Sequence, residues 1–86
     1  MRKWTVVWEK SAETKLGDIW FAVGQIPRIT EASYEIDRDL KSDPMRHGSP
    51  LSEGLFVIER PPLRAVFVLS EEDMLVRVLS LSVVQL

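Results

Sequence analysis

Residues 54–69, GLFVIERPPLRAVFVL, carry the clearest structural pattern of this chain. Two runs rich in Val, Leu, Ile and Phe flank a proline pair, a pattern typical of two strands joined by a short turn. A connection this short makes the strands antiparallel neighbours. We therefore predict strands over 55–60 and 63–70. Arg64 lies at the start of the second strand. Its guanidinium either pairs with Glu59 across the turn or contacts a phosphate or a partner.

On both sides of this hairpin, the spacing of hydrophobic residues predicts further strands and helices. Residues 74–84 form a third strand after an acidic turn, and residues 3–8 form an N-terminal strand. Apolar residues at helical spacing predict a helix over 11–23, with Ser11 as its N-cap and Gly24 at its C-terminal end.

A second helix begins near Pro27 and ends before Pro44, because the residue before a proline resists the α conformation. Its apolar stripe comprises Ile29, Ala32, Ser33, Ile36 and Leu40. Its polar residues are expected to be solvated: Glu31, Glu35, Asp37, Arg38 and Asp39. Residues 42–54, SDPMRHGSPLSEG, are expected to form a loop. The order β-α-α-β-β-β predicts an α+β fold in which a helical hairpin packs on a small antiparallel sheet.

Composition narrows the class of protein. Eighty-six residues with 45% hydrophobic content indicate one domain over residues 1–86. The chain has no cysteine, which excludes a disulfide framework and thiolate zinc sites. We expect a cytoplasmic protein, because neither a signal peptide nor a membrane-spanning run is evident. A net charge of -2 argues against sequence-specific contact with nucleic acid. No motif for a cofactor or a metal is present.

Two arginines in the predicted sheet are candidate binding residues. Arg77 alternates with Val76 and Val78, so its side chain is expected on the opposite face from theirs. Solvent exposure alone explains such a position. If Arg77 and Arg64 share that face, they form a two-arginine site that binds an acidic side chain of a partner.

Three other residues are weighed as site candidates. His47, the lone histidine, is expected to be solvated in its loop, because a triad with Ser49 and Asp43 would need a geometry that proximity in sequence does not supply. Trp20 and Phe21 are both candidate partner-binding residues. Trp20 also fits the core stripe of the first helix, whereas Phe21 does not and is expected to be exposed contact surface.

The C-terminal strand, VLSLSVVQL, is expected to present a bare apolar edge or face. Such a surface suits either a segment of a partner protein or a second copy of this chain. The acidic turn 71–73 is interpreted as a solubilising hairpin tip.

The order of the segments TVVW, AETKLGDIW, ITEAS, IDRDL, PLRAVF and VRVLSL resembles the RelE/ParE superfamily of bacterial type II toxins. The resemblance covers nearly the whole chain and implies a toxin that inhibits growth and contributes to plasmid stabilisation. It also implies a cognate antitoxin as partner. RelE-like members of the superfamily cut messenger RNA on the ribosome, whereas ParE-like members poison DNA gyrase.

Within this resemblance, Arg64 matches the strand arginine that contacts the scissile phosphate in the nuclease branch. The catalytic lysines of that branch would fall at Leu55 and Val57, which are aliphatic here. The basic, tyrosine-containing tail is replaced by SLSVVQL, and Tyr34 lies on the second helix. The resemblance therefore favours a ParE-like toxin that binds its target without catalysis.

Two alternatives stay open. One is a diverged ribosome-dependent mRNA interferase that uses Arg64, Arg77 and His47. The other is a non-toxic protein-interaction domain of the same fold.

Overall fold

The computed structural model describes residues 3–24 and 26–84. A five-stranded sheet has the order β1-β5-β4-β3-β2, and the helices pack against it. The elements are β1 (Thr5–Trp8), α1 (Lys10–Val23), α2 (Ile26–Ser42), α3 (Pro44–His47), β2 (Ser49–Ser52), β3 (Leu55–Arg60), β4 (Leu63–Ser70) and β5 (Leu75–Val83).

The predicted α+β architecture is confirmed, and its central meander β3-β4-β5 is antiparallel as expected. The N-terminal strand joins the sheet, but it pairs parallel to β5, so the sheet is mixed. Parallel neighbours need a long crossover, and here the connection from β1 to β5 runs through all the helices and the other strands. Within the described residues, no helix combines the length and apolarity that a membrane crossing requires.

Helix α1 begins at Lys10, one residue before the predicted N-cap, and its observed N-cap is Glu9. The backbone N–H of Glu9 still donates to the carbonyl of Val78 at 2.9 Å, so the β1-β5 ladder extends to Glu9 and the helix starts directly after it. Ser11 therefore does not cap the helix; its hydroxyl donates to the carbonyl of Leu79 at 3.2 Å. The predicted C-terminal glycine is confirmed, because Gly24 adopts the left-handed conformation with φ 71°.

The expected loop over residues 42–54 is wrong in two places, because it contains α3 and β2. Asp43 caps α3 by accepting a hydrogen bond from the backbone N–H of Arg46 at 3.2 Å, and Pro44 occupies the first turn. β2 pairs with β3 as an edge strand, with Pro50 opposite Phe56. A proline is tolerated on an edge strand. Because proline is rare within strands, residue propensities favoured a loop over a strand here.

The C-terminal strand is not the bare edge that we expected. β5 pairs with β4 on one side and, over Leu75–Val78, with β1 on the other. The sheet edges are β1 and β2. The hydrogen bond from Ser11 to Leu79 brings α1 alongside the part of β5 beyond β1. Gln85 and Leu86 lie outside the described residues.

The core lies between the helices and one face of the sheet. Strand β4 contributes Leu63, Ala65 and Phe67, all fully buried, and Phe67 stacks on Phe56 with ring centroids 5.7 Å apart. The helices contribute the predicted stripes: Ala12 and Ile19 from α1, and Ile29, Ala32, Ile36 and Leu40 from α2, with Ser33 half-buried.

Gly48 lies where a side chain has no room. A Cβ atom there would fall 2.5 Å from Cζ of Phe67 and 2.9 Å from the carbonyl oxygen of Pro44. Since Phe67 is fully buried, its ring has little freedom to move away. Gly17, by contrast, would place a Cβ with nothing within 4 Å.

We predict that Gly48→Ala lowers the free energy of unfolding by about 1–3 kcal/mol, the usual cost of overpacking a core. The matched substitution Gly17→Ala should raise it by up to about 1 kcal/mol, because alanine is the better helix former. Urea unfolding of both variants measures the difference. Equal effects of the two substitutions would contradict the close contact between Gly48 and Phe67.

Candidate functional site

The sheet has one face turned away from the helices, which we call the open face. The pleat of β4 places Arg64, Val66 and Val68 there, opposite the buried residues of the same strand. The strand register aligns them with side chains of the neighbouring strands. The open face thus includes Val7, Val57, Glu59, Arg64, Val66, Val68 and Arg77. Val57, Val66 and Val68 form an aliphatic strip beside the exposed hydroxyls of Ser80 and Ser82, and the charges lie toward the two ends of β4.

Arg64 lies opposite Glu59 on β3, which is the pairing that the sequence offered as one alternative. Nε of Arg64 is 3.9 Å from Oε2 of Glu59, too far for a hydrogen bond. Nε is buried and has no hydrogen-bond partner among the described residues, while the side chain as a whole is 37% exposed. The exposed part of the Arg64 side chain is therefore within reach of a group that approaches the open face.

Arg77 has a different environment. Val76 and Val78 are fully buried, so Arg77 projects from the opposite face as predicted, and it forms an ion pair with Glu9. Arg77 and Arg64 do share the open face. Arg77 is opposite Val68, however, which is four residues from Arg64 along β4, or about 13 Å. Two arginines so far apart would contact separate acidic groups of a partner.

His47 is half-buried at the end of α3, not solvated in a loop. Its Nδ1 lies 3.4 Å from Nη2 of Arg60. Asp43 uses its carboxylate to cap α3, and Ser49 is exposed at the start of β2, so these residues show no triad geometry. Among the described residues, no cluster of His, Cys, Asp or Glu is able to hold a metal ion.

His47 belongs to a buried charge cluster that the sequence did not predict. Asp39, which we expected to be solvated, has a side chain only 10% exposed. Its Oδ2 accepts from Nε of Arg60 at 2.9 Å and lies 2.8 Å from Nη2, while its Oδ1 accepts from Nε of Arg38 at 3.2 Å. The cluster joins α2, α3 and the end of β3. Charged residues on a helix usually face solvent, so the spacing of apolar residues along α2 did not indicate that Asp39 is buried.

The pKa of Asp39 results from opposing influences. Burial has the largest single effect and acts to raise the pKa. Hydrogen bonds from Arg60 and Arg38, together with the charges of Arg60 and His47, outweigh it and hold the pKa of Asp39 below its ordinary value of 3.8. The carboxylate is therefore ionised at neutral pH and holds Arg60 in place.

The aromatic candidates on α1 have different surroundings. Phe21 is 94% exposed, as expected for a residue outside the core stripe. Trp20 packs against the core from the side and lines a groove between α1 and α2. The groove also contains Trp8 and Tyr34, so three aromatic side chains meet there. The sequence singled out Trp20, but not this grouping, because the three lie on different elements.

The comparison with solved structures shows a similarity over nearly the whole chain. The chain is similar to a chain of the toxin-antitoxin complex RelBE2 from Mycobacterium tuberculosis, with a TM-score of 0.79 and 28% sequence identity. The match covers 96% of this chain and 93% of the other. No protein-family model and no curated protein sequence matches. The structural match supports the resemblance found in the sequence, since it extends over nearly the whole of both chains.

We predict that the Asp39 cluster makes stability depend on pH in the acid range. Because the pKa of Asp39 is lower in the folded state, its contribution is complete above the unfolded value of 3.8 and is lost as the pH falls through the folded pKa. Asp39→Asn should remove this part of the pH dependence and destabilise the protein by about 3 kcal/mol at neutral pH, since Arg60 loses its buried partner.

Urea unfolding between about pH 7 and about pH 3 measures both effects. The control is Glu31→Gln, which removes an exposed ion pair with Arg28 on the same helix and should cost at most about 0.5 kcal/mol. An acid-range slope that is unchanged in Asp39→Asn would contradict the assignment.

Proposed function

We propose that this chain, whose fold is that of the RelE/ParE toxins, is the toxin of a bacterial type II toxin-antitoxin system. A cognate antitoxin protein neutralises it in the cytoplasm. In this proposal the toxin inhibits growth by binding its target, without cutting RNA. The full-length similarity to a chain of the RelBE2 toxin-antitoxin complex supports the first part.

The composition of the open face carries the second part of the proposal. Its central side chains are the valines at positions 57, 66 and 68, with Ser80 opposite Val66. The valines can contact an apolar protein surface, and neither a valine nor an unassisted serine hydroxyl acts as a general base. The resemblance would place a catalytic lysine at Val57. Cleavage of RNA through its own 2′-hydroxyl needs a base, an acid and cations near the phosphate. Arg64 and Arg77 supply charge only, because an arginine remains protonated below about pH 12.

An aliphatic centre with arginines toward both ends suits a protein target. Apolar contacts in the middle of an interface provide affinity, while arginines toward its rim provide directional hydrogen bonds. Arg64 supports this assignment, because its partly exposed side chain lies on the open face and its 3.9 Å contact with Glu59 is too long for a hydrogen bond. By analogy with the ParE branch, the target that we propose is DNA gyrase.

Induced expression in a bacterial host that lacks the antitoxin tests the proposal. Growth is followed while DNA synthesis and protein synthesis are labelled separately. We expect growth arrest in which DNA synthesis falls first. Arrest in which protein synthesis falls first, with cleavage of ribosome-bound mRNA, would replace this proposal with the mRNA interferase. Continued growth would leave a non-toxic interaction domain.

We predict that Arg64→Ala weakens the toxic effect, measured as viable counts at equal protein levels. Loss of an interface arginine typically costs about 1–2 kcal/mol, or roughly tenfold in affinity for the target. Arg28→Ala is the matched control, because Arg28 is an exposed, ion-paired arginine on α2, away from the open face. Equal loss of toxicity in both variants would show that the open face is not the binding surface.

A further inference from the structure

A groove of about 400 Å³ lies between α1 and α2, and it is separate from the open face. Three aromatic side chains, Trp8, Trp20 and Tyr34, line it together with the carboxylates of Glu13 and Asp37. Among the described residues, no lysine or arginine lines it. We call it the hairpin groove. It combines aromatic surfaces and negative charge, the two features that attract an organic cation.

Two side chains of the groove, Trp8 and Asp37, are held in place by polar contacts. The indole N–H of Trp8 donates to Oδ1 of Asp37 at 3.2 Å, which links β1 to α2. Lys41, one turn further along α2, lies with its Nζ 2.8 Å from Oδ2 of Asp37. Glu13 forms no ion pair with any other described residue. A cation entering the groove therefore meets an ordered indole and an uncompensated carboxylate.

Gly17 keeps the groove open. It lies within α1 and lines the groove, and a Cβ atom at this position would have nothing within 4 Å. Glycine inside a helix is less stable than alanine, and nothing in the packing of the chain requires it here. The absence of a side chain at Gly17 is explained if another molecule occupies this space.

Trp20 adds a hydrogen-bonding requirement. Its indole Nε1 is buried and has no acceptor among the described residues. A buried donor without an acceptor is unfavourable, and an occupant that carries a carbonyl oxygen would be able to relieve this cost. A polypeptide provides both a carbonyl acceptor and a cationic side chain, whereas a simple amine provides only the cation.

We propose that the hairpin groove binds an arginine or lysine side chain of a partner polypeptide. The cation would lie against Trp8, Trp20 and Tyr34, with Glu13 as its counter-charge. This inference rests on the proposed function, in which the antitoxin is the partner that supplies the basic residue. It assigns to the groove a recognition chemistry distinct from that of the open face, whose arginines select acidic groups.

The test uses the purified chain and a short alanine-rich peptide with one central arginine. The same peptide with citrulline in place of arginine has nearly the same shape without the charge. The readout is the pair of indole N–H signals of Trp8 and Trp20 in ¹H–¹⁵N spectra. We expect both signals to shift with the arginine peptide, with a dissociation constant at least fivefold lower than for the citrulline peptide.

Two matched variants locate the binding. Gly17→Leu fills the groove and should weaken binding of the arginine peptide at least tenfold, with folding checked by its thermal transition. Thr14→Leu places the same side chain at an exposed position of α1 that does not line the groove, and it should leave binding unchanged. Glu13→Gln should weaken binding about threefold through loss of charge.

Several results would overturn the proposal. Equal binding of the two peptides would exclude charge recognition, and an unchanged affinity in Gly17→Leu would place the site elsewhere. Tetramethylammonium binding as tightly as the arginine peptide would make the groove a small-molecule site. The growth experiment is independent: arrest without peptide binding refutes the groove alone, while peptide binding without arrest refutes the toxicity alone.

Discussion

The pleat of β4 sends Leu63, Ala65 and Phe67 toward the helices and Arg64, Val66 and Val68 away from them. A shift of one residue would exchange the two sets and force Arg64 into the core. The fully buried Phe67 excludes that shift, because it packs against Phe56 and fills the space that Gly48 leaves. This register fixes which face the helices cover. It thereby also fixes which side chains remain available to other molecules.

Much of this arrangement could be predicted from the sequence. The strands over 55–60 and 63–70 were predicted to the residue, because alternation and the proline pair are both local signals. The apolar stripe of α2 was also predicted from a local signal, the helical spacing of its hydrophobic residues. Local signals do not report which strands pair over long distances. That is why β5 was expected to present a bare edge or face, although its edge is covered because it lies between β4 and β1.

The candidate sites show the same division between local and long-range information. The positions of Arg64 and Arg77 on one face followed from the two-residue period, but their separation of about 13 Å depends on the β4-β5 register. Asp39 was misplaced because a charged residue on a helix is usually solvated, and its partner Arg60 is 21 residues away. The aromatic grouping in the hairpin groove draws on three elements, and no single stretch of sequence contains it.

The parallel pairing of β1 with β5 has a consequence for the synthesis of the protein. Trp8 emerges from the ribosome long before Val78, its partner in the ladder. Until β5 has been made, β1 lacks its neighbour, and the hairpin groove lacks the wall that Trp8 provides. Contacts between segments so distant form late and slowly. The nascent chain therefore cannot present the groove, and a partner that recognises it would meet the protein only after translation has passed the last strand.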